Sequence, residues 1–232
     1  MDTPLFFVSV GLTLCFAFVN GFHDGGNVIA TIICSRSMRP VKALILAAVG
    51  EFLGPLVLGT AVAQTIATSI LKPDMLEQLS PSSLDLVVIS AVGGAIAWKL
   101  PTWYLGLPSS GSHALIGGLV GAGCVGMGPD SVAIERVLWG VILPLLVSPL
   151  LGIVLGFMVF AVIRALCGRA HRRIGGFFEF LQNPTVLFLA ASHGSNDAQK
   201  SMGVIAIILA SRVGEMHGEL PLPSWAIISC AA

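Results

Sequence analysis

Six long apolar runs and the start of a seventh set the pattern of this chain. They cover residues 4–33, 43–70, 84–100, 111–128, 137–163 and 184–210, and another opens near Ser224. A helix needs roughly 20 apolar residues to span a bilayer. The runs are continuous rather than alternating, so they predict helices and exclude a membrane β-barrel. Runs 84–100 and 111–128 are short, and half-helices or a re-entrant pair fit them as well as full crossings. The fold class that follows is an all-α polytopic membrane protein.

Polar residues interrupt the runs in few places, and two of those places are alike. Residues 20–30 read NGFHDGGNVIA and residues 193–203 read HGSNDAQKSMG. At an offset of 173, Gly21 meets Gly194 and Asp24 meets Asp197, with small residues following at Ala30 and Gly203. A third cluster, GLPSSGSHALIGG at 106–118, places Ser109, Ser110, Ser112 and His113 after Pro108. Proline followed by serines predicts a helix start, where hydroxyls and free backbone N–H groups point one way. That makes an anion site; the plainer alternative is a helix cap at a loop.

Composition removes other classes. The chain has 232 residues, 55% hydrophobic and 10% charged, with a mean hydropathy of +0.92. Soluble domains carry nearer ~25% charged residues. A formal net charge of zero speaks against a nucleic-acid partner. Cys15, Cys34, Cys124, Cys167 and Cys230 form no CxxC pair and read as reduced thiols. Asp2 and no basic residue precede the first run, so 4–33 reads as a retained segment rather than a signal peptide.

Charge between the runs gives orientation. Arg36, Arg39 and Lys42 follow the first run, and Arg164, Arg169, His171, Arg172 and Arg173 follow the fifth. Acidic loops alternate with them, carrying Asp74, Glu77 and Asp85, and then Glu215 and Glu219. With basic loops cytoplasmic and every run crossing, the N-terminus lies outside. Eight of the twelve Lys and Arg residues then fall inside, three outside, and Lys200 in the membrane. The first run travels inward and the sixth outward, so the two polar copies are antiparallel. Inverted-topology repeats of this kind build substrate and ion sites from broken helices meeting near the midplane. Gly21, Gly25, Gly26 and Gly194 would permit the unwinding. The domain division is a first repeat over 1–163, a basic cytoplasmic loop over 164–183, and the start of a second, inverted repeat over 184–232.

Asp24, Glu51, Asp197 and Lys200 lie in apolar surroundings. Each unpaired charge costs about 2.5–3.5 kcal/mol at mid-bilayer on insertion scales. They must be paired, hydrated or ion-bound, in a structural network or around a small cation. Asp24 beside Asn20 or Asn27, and Asp197 beside Asn196, supply hard oxygen ligands. Lys200 belongs near one carboxylate or an anion. His23, His113 and His193 are candidate proton carriers.

These residues together resemble the inorganic phosphate transporter family, the sodium- or proton-coupled phosphate symporters. The family carries two copies of a Gly-Ala-Asn-Asp-like signature, matched here by Gly21-Phe22-His23-Asp24 and Gly194-Ser195-Asn196-Asp197. SHGSNDAQKSMGVIA follows the pattern through Gln199, Lys200 and Gly203, and LPSSGSHALIGG looks like its serine/threonine-histidine motif. The resemblance implies that Asn27, Ser110, Ser112 and Gln199 hold phosphate. It implies that Asp24 and Asp197, with Asn20 and Asn196, bind the coupling cation or titrate, and that Glu51 tunes or carries a proton. Ser109, His113 and Lys200 are additional candidates, and no metal ligand set is assigned. No cofactor is expected beyond the coupling cation. The expected setting is the inner cell membrane, with lipid, phosphate and a homodimer as partners.

Two departures qualify the expectation. Phe22-His23 stands where many members have Ala-Asn, a variant resembling a bacterial branch regarded as proton-coupled, with metal–phosphate complexes or another oxyanion as alternative cargo. A counterpart of Ser109–His113 would fall near 282–286, so the chain is expected to lack much of the second repeat, and a non-transporting subunit is a rival reading. An intramembrane hydrolase on Ser110 or Ser112 is the remaining rival; His113, adjacent to Ser112, is badly placed as its base.

Overall fold

The structure, a computed structural model, describes residues 4–60, 63–64, 70–171, 174–214, 216, 220 and 222–232. Its helices are α1 (Pro4–Cys34), α2 (Pro40–Leu58), α3 (Pro73–Glu77), α4 (Pro81–Tyr104), α5 (Gly111–Met127), α6 (Ile134–Cys167), α7 (Ile174–Val213) and α8 (Ser224–Ala231). Among the described residues α1, α2, α4 and α6 are long and apolar enough to cross a membrane, whereas α5 is shorter. The expected helices match these elements closely, because long apolar runs leave no other way to satisfy the backbone in lipid. Most of the stretch expected as a basic loop is helix: α6 continues to Cys167 and α7 begins at Ile174. Arg172, Arg173, Asp2, Glu215 and Glu219 lie outside the described residues.

Contacts fix the relative directions. Near one end, the Arg212 guanidinium lies 5.2 Å over the Phe6 ring. Further along, Asn20 Nδ2 donates to Asp197 Oδ2 at 2.8 Å. Positions rise along α1 as they fall along α7, so the two helices are antiparallel, as the charge pattern predicts. By the same reasoning α4 runs parallel to α1, since Ser9 meets Asp85 and Asp24 meets Lys99. α2 runs parallel to α7: Gly50 lies against Ala190, and Ala63 N–H donates to Gln199.

The helix breaks are not where the polar clusters predict them. α1 passes through Asn20–Asn27 and α7 through His193–Gly203 without interruption. Polar side chains there find partners across the helix interfaces, so the backbone has no need to unwind. One break lies at Gly59, where α2 ends at φ +83°, a left-handed conformation that glycine adopts without a Cβ penalty. The apolar run expected to continue to residue 70 as one helix is therefore interrupted at Gly59, and residues 63–64 beyond it are again helical. Gln199 holds this break from α7, its Nε2 donating to Gly59 O at 2.8 Å and its Oε1 accepting from Ala63 N–H at 3.2 Å. The second break is the 105–110 connection, after which α5 starts beside Asn20, about midway along α1. Of the two short runs, α5 is thus the half-helix.

The apolar core sits among α1, α4, α5 and α7, around Phe16, Leu84, Leu115, Leu119 and Val204. Small residues bring the helices close. A Cβ on Gly118 would strike the backbone of Ala91, one on Gly54 the carbonyl of Ala191, and one on Gly194 the backbone of Glu51. Small-residue interfaces are how helices associate in lipid, where the solvent is as apolar as the side chains.

Candidate functional site

The middle turns of α1, α2 and α7, the last turns of α4 and the start of α5 carry a layer of polar side chains. Asp24 on α1 is buried. Lys99 on α4 approaches both its oxygens at 3.2 Å. His23 Nδ1 lies 3.0 Å from Asp24 Oδ1 and 2.7 Å from Lys99 Nζ. Asp197 on α7 pairs with Lys200 one turn on, accepts from Asn20, and lies 3.7 Å from His193 Nε2. His193 Nδ1 is 3.2 Å from Glu51 Oε1 on α2. The Glu51 contact is within hydrogen-bond range, whereas the Asp197 contact is a longer ion-pair distance.

Two cavities open beside this layer. One, of about 400 Å³, is lined by Gly21, Phe22, Glu51, His193 and Asp197 with Cys230 of α8. The other, of about 800 Å³, lies over the start of α5, where Ser110, Ser112 and His113 face Asn196 of α7 and Arg136 and Ser148 of α6. Asn196 and Asp197 are consecutive, so one turn of α7 serves both cavities. Ser110 is the N-cap of α5, its side chain accepting from His113 N–H. The proline-then-serine signal therefore predicts this helix start correctly. A hydroxyl that accepts as a cap keeps its own proton to donate.

The structure separates the other expected residues. Asn27 is exposed on α1, whereas Ser110, Ser112 and Asn196 share the larger cavity. Gln199 lines neither cavity and braces the α2 break, also donating to Ser195 Oγ at 2.7 Å. Ser109 Oγ accepts from Trp98 Nε1 at 3.1 Å. Asn196 lies with the serines rather than with Asp24 or Glu51. Asn20 is buried between Asp197 and Gly111, and its Oδ1 finds no hydrogen-bond partner among the described residues.

Sequence reasoning missed Lys99. The charge count placed it with the inner loops, yet its side chain is 0% exposed and paired with Asp24. Its signal was its setting, a lone lysine inside the apolar AIAWKL stretch. The parallel pairing of α1 and α4, which decides its partner, is a property of the tertiary fold alone. Asp85 was likewise read as a loop acid. It is fully buried on α4, paired with Arg212 and accepting from Ser9 Oγ at 3.2 Å.

An all-helical bundle with charges and a helix N-terminus gathered at one depth defines a polytopic membrane protein of the transporter class. A profile of the phosphate transporter family matches residues 20–175, and the chain belongs to that family. It is 38% identical over 232 residues to a probable low-affinity inorganic phosphate transporter of Rhizobium meliloti (strain 1021), covering 99% of this chain and 66% of the relative. A protein of the same description from Streptomyces halstedii is 39% identical over 196 residues, covering 84% of this chain and 88% of the relative. The low-affinity inorganic phosphate transporter PitA of Escherichia coli (strain K12) is 34% identical, covering 88% and 46%. The chain spans between about half and two thirds of the length of most of these relatives. Its fold matches a solved structure described as the sodium-dependent phosphate transporter, with a TM-score of 0.81 at 21% identity over 99% of this chain and 73% of that one. The family is one of transporters, which removes the hydrolase reading.

Proposed function

We propose that the protein imports inorganic phosphate across the cell membrane by symport with a cation, and that the cation is the proton. The observation that carries the reading is the N-terminus of α5 opening at mid-depth into a cavity shared with Asn196. The first-turn N–H groups have no intrahelical acceptor and the helix dipole is positive there. Ser110 and Ser112 add hydroxyl donors and Asn196 an amide, a donor set suited to a tetrahedral oxyanion. The family membership and the relatives described as inorganic phosphate transporters support phosphate as that anion.

Coupling follows from charge. Phosphate in the α5 cavity would lie beside the ion pair of Asp197 and Lys200, in which the carboxylate offsets the ammonium. A proton taken up through Glu51 and His193 and delivered to Asp197 leaves the Lys200 charge unopposed to attract the anion. Proton and phosphate then favour each other's binding, the reciprocal coupling that symport requires. His193, with a carboxylate within ion-pair distance of each ring nitrogen, supports the proton over a sodium ion here.

The test is uptake of radiolabelled phosphate into proteoliposomes under an inward proton gradient or an inward sodium gradient. The proton gradient should drive accumulation, and a protonophore should abolish it. Asp197→Asn and His193→Ala should insert normally and accumulate nothing. Undiminished uptake by Asp197→Asn would sink the coupling role, and uptake driven by sodium alone would replace the proton.

A further inference from the structure

We propose that Lys99 is the resident counter-cation of Asp24 and occupies the place a diffusible alkali cation would need, so that the Asp24 side of the site takes no sodium. The inference rests on reading the polar layer as a cation-coupled transport centre. It adds a specificity-determining residue that the charge pattern assigned to a loop.

The geometry points this way. Lys99 Nζ is 3.2 Å from each oxygen of Asp24, so both ends of the carboxylate are engaged. An ammonium has three donors and no acceptor. Four acceptors surround this one: the two Asp24 oxygens, His23 Nδ1 at 2.7 Å and the Ser109 carbonyl at 3.4 Å. The donors are fully used without water. The lysine side chain is 0% exposed and that of Asp24 only 11%. Where Lys99 donates to His23 Nδ1, that nitrogen is the acceptor of the pair. A sodium ion on Asp24 would lie within a few ångströms of Nζ, like charge against like charge where little solvent screens them.

Asp197 makes the contrast. Its lysine, Lys200, comes from the same helix one turn on and moves with it. Lys99 comes from α4 and ties it to α1 across the interface. The Asp24 carboxylate is therefore neutralised by a group fixed in the fold, whereas Asp197 also faces His193 and a cavity.

The test needs no transport. Thermal unfolding of the full chain in detergent is compared in sodium chloride and in choline chloride at equal ionic strength. The wild type should show no sodium-specific shift. Lys99→Met leaves Asp24 without its cation, and a bound ion stabilises the folded state it binds. Sodium should then raise the midpoint by about 2–4 °C or more over choline, and Lys99→Arg should behave as wild type. A sodium-specific shift of equal size in wild type and Lys99→Met, or none in Lys99→Met, overturns the proposal. If Lys99→Met does not fold, binding of radiolabelled sodium to wild type and Asp24→Asn decides. Equal binding is expected, and a loss of bound sodium in Asp24→Asn overturns it. A protein that proved unable to move phosphate would leave both readouts intact.

Discussion

Asn20 joins the two halves of the site through one amide. Its Nδ2 holds Asp197 while its Oδ1 lies against Gly111 at the start of α5. A methyl group at Gly111 would land on that oxygen, whereas one at Gly117 would meet nothing within 4 Å. Gly111→Ala should therefore weaken phosphate binding roughly tenfold or more, the loss expected when a buried polar contact to a charged group is broken. Gly117→Ala should bind as wild type; equal binding by both variants would remove Asn20 as the link. At the far end of the bundle, Arg212→Met would strand the fully buried Asp85. Removing one partner of a buried pair costs about 3–5 kcal/mol. Thermal unfolding should show that loss, and Asp85→Asn in the same chain should recover most of it. Asn20, Asp24, Glu51 and Asp197 were legible in the sequence because a polar residue in an apolar run advertises itself. Lys99 and Asp85 sit near the ends of a run, where the same residue types read equally well as loop charges.

At the scale of elements, the close contact of α2 with α7 depends on glycine for space rather than for flexibility. Gly50 lies against Ala190 and Leu187, Gly54 against the Ala191 carbonyl, and Gly194 against the Glu51 backbone. Gly54→Ala should lower stability by about 1–3 kcal/mol, the cost of overpacking, and Gly21→Ala, whose methyl would meet nothing within 4 Å, should not. Thermal unfolding of the two variants side by side checks this; equal midpoints would contradict the packing account. The same contacts explain why the expected breaks moved. Lys99, Lys200, His193 and Asn20 reach across or along helices to satisfy Asp24, Glu51 and Asp197, leaving α1 and α7 intact. The chain breaks instead at Gly59, where φ is positive, and at the proline-serine connection before α5. The second break was readable from its residues. The first was hidden inside an unbroken apolar run, because its stabilising amide, Gln199, lies 140 residues away.

For the whole molecule, basic loop positions concentrate at one end. Arg39 and Lys42 lie beside Gly176, Glu179 and Asn183 at the start of α7. Phe6, Asp85 and Arg212 meet at the other end. The positive-inside rule predicts that the first end is cytoplasmic. Cysteines introduced at Arg36 or Arg169 should react with an impermeant thiol reagent only after permeabilisation, and one at Lys72 in intact cells, all in a background freed of native cysteines. The reverse pattern would invert the topology. Along α6, residues 143–167 bury no side chain among the described residues, and this helix meets the rest of the bundle chiefly at the α5 cavity. The antiparallel course of α1 and α7 was legible from loop charge, but the placing of a helix N-terminus beside the middle of α1 was not, since it depends on how far α4 extends along α1 before the chain turns back.

The most direct test of the account is equilibrium binding of radiolabelled phosphate to the purified chain. Saturable binding to the wild type is predicted. The double change Ser110→Ala/Ser112→Ala and the single change Asn196→Ala should each weaken it roughly tenfold or more, while Gln78→Ala on the distant α3–α4 connection leaves it unchanged. Binding that is absent from the wild type, or that survives the serine and asparagine changes undiminished, would contradict a phosphate site at the N-terminus of α5.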